Sequence, residues 1–362
     1  MDMLFKPDWE ETKNRFKAWW AHEIIDRCCI QILAPKAGIQ ADPLHWPEKN
    51  LNRWTDFNFY HELNRYLVRS TFYGGEAFPV WHPSYYPFTN SMAAFMGCHV
   101  TLQENSGWVY PIIEEGDLVD HDYLTLNIDP ENDWYRFDEK MHRFSIEDSA
   151  GDFVPRVWVY ASSGDTLAAM RGTEKLLTDL IDCPDYVRKA DQHIVRQLIA
   201  LHGKYYKMAY RGKEEGISDW FSIWAESRYY TLQNDFAYMI SPKSFIDVFL
   251  PSIEMQTDYF DHTNYHCDGV GNFVHIDALC SLPRLTGIQV LPGTGKPSPL
   301  YYMETLKKVQ DKGKNLILNL NPDEVETALQ MLSSKGLFIQ TSCNTEEEAR
   351  YILGNMHKWT RE

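Results

Sequence analysis

"NLILNLNPDEVETALQMLSSKGLFIQTS", residues 315–342, carries the reading of the fold. An apolar run of strand length, 315–320, leads into a helix beginning at Pro322, and a second apolar run, 337–342, leads into the helix "TEEEARYILGNMHKW". Two strands joined by a helix rather than a tight turn are parallel neighbours. The same rhythm extends backwards. "TGIQVL" (286–291) precedes the helix "SPLYYMETLKKVQDKG", which ends at Gly313. "YHCD" (265–268) ends a strand followed by the helical piece "FVHIDALCSL". Before it, Ser241 and Pro242 read as N-cap and first residue of a helix in which Phe245, Phe249, Ile253 and Phe260 recur near helical spacing.

Further upstream, "GISDWFSIW" (216–224) and "RVWVYASS" (156–163) are expected strands, with helices at "GTEKLLTDLID" and "PDYVRKADQHIVRQLIALHGKYY" between them. "CCIQILAP" (28–35) is the first strand, after a helix in which Trp9, Phe16, Trp20 and Ile24 share a face. One more strand within 76–112 brings the count to eight. Each strand-plus-helix unit takes roughly 25 to 35 residues, so the expectation is one (β/α)8 TIM barrel over 1–362. Residues 1–27 form an N-terminal helical extension, and 36–150 supply long loops over the C-terminal mouth. A doubly wound sheet is the rival, but no strand is followed by a dinucleotide-type glycine fingerprint.

Composition narrows the partners. The chain has 362 residues, 44% of them apolar, enough for a substantial core. Its net charge of −16, from 51 acidic against 35 basic residues, argues against nucleic acid and against an anionic membrane surface. The N-terminus lacks the apolar stretch of a signal peptide, and no run of about 18 apolar residues occurs. Seven scattered cysteines do not form a secreted disulfide framework, so a cytoplasmic location with reduced thiols is expected.

Chemistry in a barrel gathers where the strands end. At "YHCD", strand alternation puts His266 and Asp268 on one side and Tyr265 and Cys267 on the other. Cys343 ends the last strand. Histidine, carboxylate and thiolate are all zinc donors, and three of them leave a position open for substrate. Hydrogen bonding at a strand end explains the same string more simply. Glycines at 269 and 271 let the chain bend and keep Cys267 in reserve as a ligand. Cys28, Cys29, Cys98, Cys183 and Cys280 read as small buried apolar residues. In "WFSIWAESRYY", Trp220, Trp224 and Glu226 border the expected cleft, with Gln289 as a further substrate contact. Glu226 and Arg228 satisfy one another if buried. Asp235 either acts on substrate or braces the loop before Ser241.

From about residue 157 onward the chain resembles the uroporphyrinogen decarboxylase superfamily. Within it, the resemblance is to the corrinoid-dependent methyltransferases and their bacterial relatives. The matching stretches are "RGTEKLLTDLIDCPDYV", "NDFAYMISPKSFIDVFLPSI", "YHCDGVGNFVHIDALCSLPRLTGIQVLPGTG" and "GLFIQTSCNTEEEARYIL"; the opening "WEETKNRFKAWWAHEIIDR" resembles the same bacterial group. The resemblance implies a (β/α)8 barrel, a homodimer, and a zinc ion on a His-x-Cys pair and a distant Cys. That zinc activates a thiol to take a methyl group from a corrinoid. His266 falls on the family's His, Asp268 on its first Cys and Cys343 on its distant Cys, and the interval from Asp268 to Cys343 is about the family's. Asp268 is a departure, a carboxylate for a thiolate, which gives a harder, more Lewis-acidic site. Asp268 and Asp235 are the expected catalytic residues. With no Asp-x-His-x-x-Gly motif, any corrinoid is external, free or on a partner protein.

Decarboxylation is disfavoured, because "CIQILAPKAGIQADP" holds no arginine and Cys343 stands where the decarboxylases carry a His. A metal-free barrel binding a small ligand or a corrinoid protein is the remaining alternative.

Overall fold

A computed structural model describes residues 5–39, 44–82, 91–104, 106–149, 151–159 and 162–361. Eleven strands are found among them: β1 (Cys29–Pro35), β2 (Thr71–Gly75), β3 (His99–Leu102), β4 (Gly107–Tyr110), β5 (Ile217–Ser218), β6 (Trp224–Ala225), β7 (Tyr229–Gln233), β8 (His262–Asp268), β9 (Gly287–Leu291), β10 (Asn315–Asn319) and β11 (Leu337–Ser342). Seven of these build the central sheet, in the order β2-β1-β11-β10-β9-β8-β7. β1 and β7–β11 run parallel; β2 is antiparallel to β1 at one edge. The molecule is a mixed α/β protein with a mostly parallel sheet. No helix among the described residues is long and apolar enough to cross a membrane.

Strand alternation sorts the side chains of this sheet. Ile30, Ile288, Leu316, Leu318 and Ile339 turn to one face and are buried under the helices. The other face carries Gln31, Gln289, Asn319 and Gln340. The crossover helices begin as their sequences predict. Ser241 accepts the Ser244 amide, and Thr345 accepts the Glu348 amide at the start of the helix Glu346–Trp359. Helix Trp9–Trp20 packs Phe16 and Trp19 against Phe338, so the N-terminal extension is part of the core.

Several expected elements differ. The first helix stops at Trp20, leaving Ile24 outside it and only half-buried. The stretch 216–224 is not one strand. Asp219–Ser222 turns the chain, so β5 and β6 pair antiparallel as two-residue strands, and Ser222 takes a left-handed φ of 56°. The strand before β8 is therefore β7, whose sequence "YYTLQ" was not singled out. Of 156–163, Arg156 makes an isolated parallel bridge to Ser218, residues 157–159 join no ladder, and 160–161 lie outside the described residues. Within 76–112, β3 and β4 pair as a separate two-stranded sheet, while Val80 makes an isolated parallel bridge to Val154. The segment 36–150 is not only loops, since it contains the helices Phe57–Ser70 and Asp133–Asp148.

Candidate functional site

The C-terminal ends of β1 and β8–β11 border a cavity of about 850 Å³. Its floor is built by two successive levels of the sheet, because Gln289 stands opposite Ile317 and Asn319 is one level further along. Register pairs Gln31 with Gln340, Gln340 with Asn319, and Gln289 with His266. These side chains bond to one another. Gln340 Nε2 donates to Gln31 Oε1 (2.8 Å), and Gln289 Nε2 donates to Asn319 Oδ1 (3.2 Å). Gln289 Oε1 is therefore the acceptor facing His266 Nδ1, which carries the proton of that hydrogen bond. In the neutral ring the lone pair is then on Nε2, 3.9 Å from Asp268 Oδ2.

The wall over His266 is the turn 219–222. Buried Asp219 holds it from below, accepting the amides of Phe221 (2.8 Å) and Thr231 (2.7 Å). Gln31 Nε2 grips the Ser222 carbonyl (2.5 Å) and Gln340 Nε2 the Phe221 carbonyl (3.2 Å). The turn presents Trp220 and Phe221 edge-on to the His266 imidazole, at ring separations of 5.3 and 5.8 Å. Burial in this aromatic corner lowers the His266 pKa below its ordinary value. The Gln289 hydrogen bond and the charges of Asp268 and Asp165 pull it upward without prevailing.

Beside this cavity, Asp235 lines a second one of about 430 Å³ together with Asp165 and Trp108. Asp165 accepts the amides of Asp235 (3.1 Å) and Phe236 (2.7 Å). Burial, then the charges of Asp165 and Asp268, push the Asp235 carboxyl up to about 7. A carboxyl kept protonated near neutral pH can donate a proton that an ordinary aspartate cannot.

Of the predicted substrate contacts, Trp220 and Gln289 line the main cavity. Trp224 does not: it is fully buried against Trp9 and Phe16, with its indole N–H on the Glu215 carbonyl. Glu226 lies outside the cavity lining and faces Lys17 at 3.6 Å, and Arg228 pairs with Asp261 rather than with Glu226. Both displacements follow from the turn at 219–222, which ends the wall before residue 224.

Of the predicted zinc donors, only His266 and Asp268 stand together. Cys267 is fully buried on the opposite face of β8, as alternation requires, and burial raises its thiol pKa. Cys343 lines a different cavity with Pro35, Lys36 and Tyr66, and burial pushes its thiol up to about 11. β8 and β11 are three inter-strand steps apart, about 14 Å along the sheet at ~4.8 Å per step. Among the described residues, no three His, Cys, Asp or Glu side chains converge as a metal requires.

Gln31, Asn319, Gln340 and Phe221 were not anticipated. The signal was an Ile-Gln pair repeated in three strands, at 30–31, 288–289 and 339–340. A scan against protein-family models matches none, and a search of curated proteins finds no match.

Proposed function

We propose that the chain is an enzyme of the closed (β/α)8 class that performs metal-free acid–base chemistry on a small molecule in the main cavity. His266 Nε2 is the base, and Asp268 faces the imidazolium formed when it takes a proton. The observation that carries the reading is the Asn319–Gln289–His266 chain. It fixes the imidazole orientation and leaves Nε2 as the acceptor at the cavity. The imidazolium itself returns the proton, since Asp235 lines the second cavity.

Support for closure comes from the two edges of the sheet. The Val154 amide bonds the Pro79 carbonyl (3.0 Å), the Val157 amide bonds the Ser218 carbonyl (2.9 Å), and Asp219 ties the next segment to β7. A site at strand C-termini suits this architecture.

Nitrogen-15 NMR of the histidines in the full chain tests the reading without knowledge of the substrate. His266 is expected with its proton on Nδ1, and Gln289→Leu is expected to abolish that preference. A wild-type proton on Nε2 would end the proposal.

Zinc-dependent methyl transfer is the second reading, favoured by the His266–Asp268 pair and by the resemblance of sequence. Because the Cys343 donor stands apart, the donor set does not fit that family's zinc, and no step is assigned to a metal. One zinc per chain in equilibrium dialysis, lost in both His266→Ala and Cys343→Ser, would restore it.

A further inference from the structure

The main cavity sets a row of polar side chains among apolar ones and carries almost no charge. Among the described residues Glu324 is the one carboxyl lining it, and that group already accepts the Asn321 amide and side chain. The lining His82 is held neutral, pushed down to about 3 by burial first and then by Arg156. No Lys or Arg lines the cavity, and none falls outside the described residues. The guanidinium of Arg156, which meets His82 at 3.4 Å, is buried with its Nε committed to the Asp219 carbonyl at 2.8 Å. A phosphate or polycarboxylate would find no counter-charge here and would meet a chain of net charge −16.

The cavity offers instead a row of amides with open valences. Gln340 Nε2 is spent on Gln31 and Phe221, but no hydrogen bond to its Oε1 is found among the described residues. Asn319 accepts from Gln289 through Oδ1, and its Nδ2 has no partner there. An acceptor and a two-proton donor thus sit on neighbouring strands, about 4.8 Å apart. His266 Nε2 adds a further acceptor one level deeper, beside Gln289. Hydroxyl groups both donate and accept, so a molecule bearing several of them a few ångströms apart matches such a row. The Trp220 indole N–H is turned away onto the Thr231 carbonyl at 3.0 Å, which leaves the ring itself as apolar wall for C–H surface.

We propose that this cavity takes a neutral, multiply hydroxylated ligand of the saccharide class, held by Asn319, Gln340 and His266 against Trp220. The assignment deepens the acid–base reading of the same cavity, and rests on it for the use to which the ligand is put. A hydroxyl of the saccharide lies at His266 Nε2, the position from which a proton is taken.

Isothermal titration calorimetry of the full chain tests the ligand class. The neutral probes are xylose, glucose, galactose, cellobiose, maltose and lactose; the anionic probes are glucose 6-phosphate and citrate. At least one neutral saccharide is expected to bind saturably at one site per chain, more tightly than either anion. Asn319→Ala, at an exposed strand end, is expected to weaken it about tenfold, the loss of one hydrogen-bonding group. Gln340→Leu should weaken it similarly, with melting temperatures showing that both variants fold. Failure of every neutral saccharide, preference for an anion, or affinity unchanged in both variants would overturn the proposal. The two readings fail separately. Saccharide binding alongside a proton on His266 Nε2 removes only the acid–base reading, and a proton on Nδ1 without saccharide binding removes only the ligand class.

Discussion

Asp191 lies inside the helix Pro184–Ala209, fully buried, with no hydrogen-bond partner for either carboxylate oxygen among the described residues. Burial pushes its carboxyl up to about 7, aided by the charge of Asp165 and only partly offset by the neighbouring Ser252 and Ser163 hydroxyls. A carboxyl raised in the folded state adds stability that is complete below its unfolded pKa, near 3.8, and is lost as pH rises through about 7. Asp191→Asn removes the ionisation without changing the shape. It is expected to flatten the fall in stability between about pH 4 and pH 7 and to stabilise the protein by a few kcal/mol, at most about 4, above pH 7. Urea unfolding across pH is the measurement; an unchanged slope would count against the assignment. His202 shows the opposite sign. Burial presses it down to about 3, so its contribution is present above about pH 6.5 and declines as the medium is acidified. At this scale the sequence was partly legible. Alternation correctly separated His266 and Asp268 from Cys267, because period two is a local property of a strand. The placement of Cys343 depends on how far β11 stands from β8, which no local pattern records.

Among the elements, β9 shows why a glycine opens a buried strand. A Cβ on Gly287 would come within 2.6 Å of Asn264 Oδ1 and 3.2 Å of Asn315 Cβ. Asn264, fully buried on β8, occupies that space and donates to the Tyr229 hydroxyl at 3.3 Å. Gly287→Ala therefore overfills the sheet interior and is expected to cost about 1–3 kcal/mol, read as a lowered urea midpoint. A loss below a few tenths would show that Asn264 moves aside freely. The helix opening at Pro242 also departs from regularity. A π segment, Phe245–Phe249, precedes Leu250–Tyr259, where Pro251 has no N–H to give the Asp247 carbonyl. That carbonyl accepts Arg188 instead, at 3.2 Å. Phe245, Phe249 and Ile253 are nonetheless all buried, so the apolar spacing named the correct face. The strands 315–319 and 337–342, each built round three consecutive apolar residues, were legible for the same reason. "YYTLQ" was not, because a five-residue polar-aromatic strand has no periodic signature. The stretch 216–224 misled because β5 and β6 carry strand-like residues on both sides of a turn that Asp219 and Ser222 impose.

For the whole molecule, one buried carboxylate joins the N-terminal segment to the sheet. Glu76, with no exposed surface, accepts two guanidinium hydrogen bonds from Arg27 (2.8 and 2.7 Å) and the Ile30 amide (2.8 Å), with Arg15 at 3.5 Å. Glu76→Ala strands Arg27 inside the core and is expected to cost about 3–5 kcal/mol. The double variant Glu76→Leu, Arg27→Leu should lose less than the single one, a cycle that thermal unfolding resolves; additive losses would show that the two do not interact.

The ladder from β2 to β7 is made of multi-residue pairings, whereas beyond its edges the described residues show single bridges, at Val80–Val154 and Arg156–Ser218. Isolated bridges open without disturbing their neighbours, so this seam is expected to open before the ladder does. In deuterated solvent the amides of Val157 and Ser218 should exchange well before those of Ile288 and Leu316, by way of an opening that leaves the ladder intact. The turn bearing Trp220 and Phe221 hangs from that seam. The wall of the cavity nearest His266 is thus its most yielding part, and a ligand that reaches the amide row arrives through motion on that side while the row itself stands still.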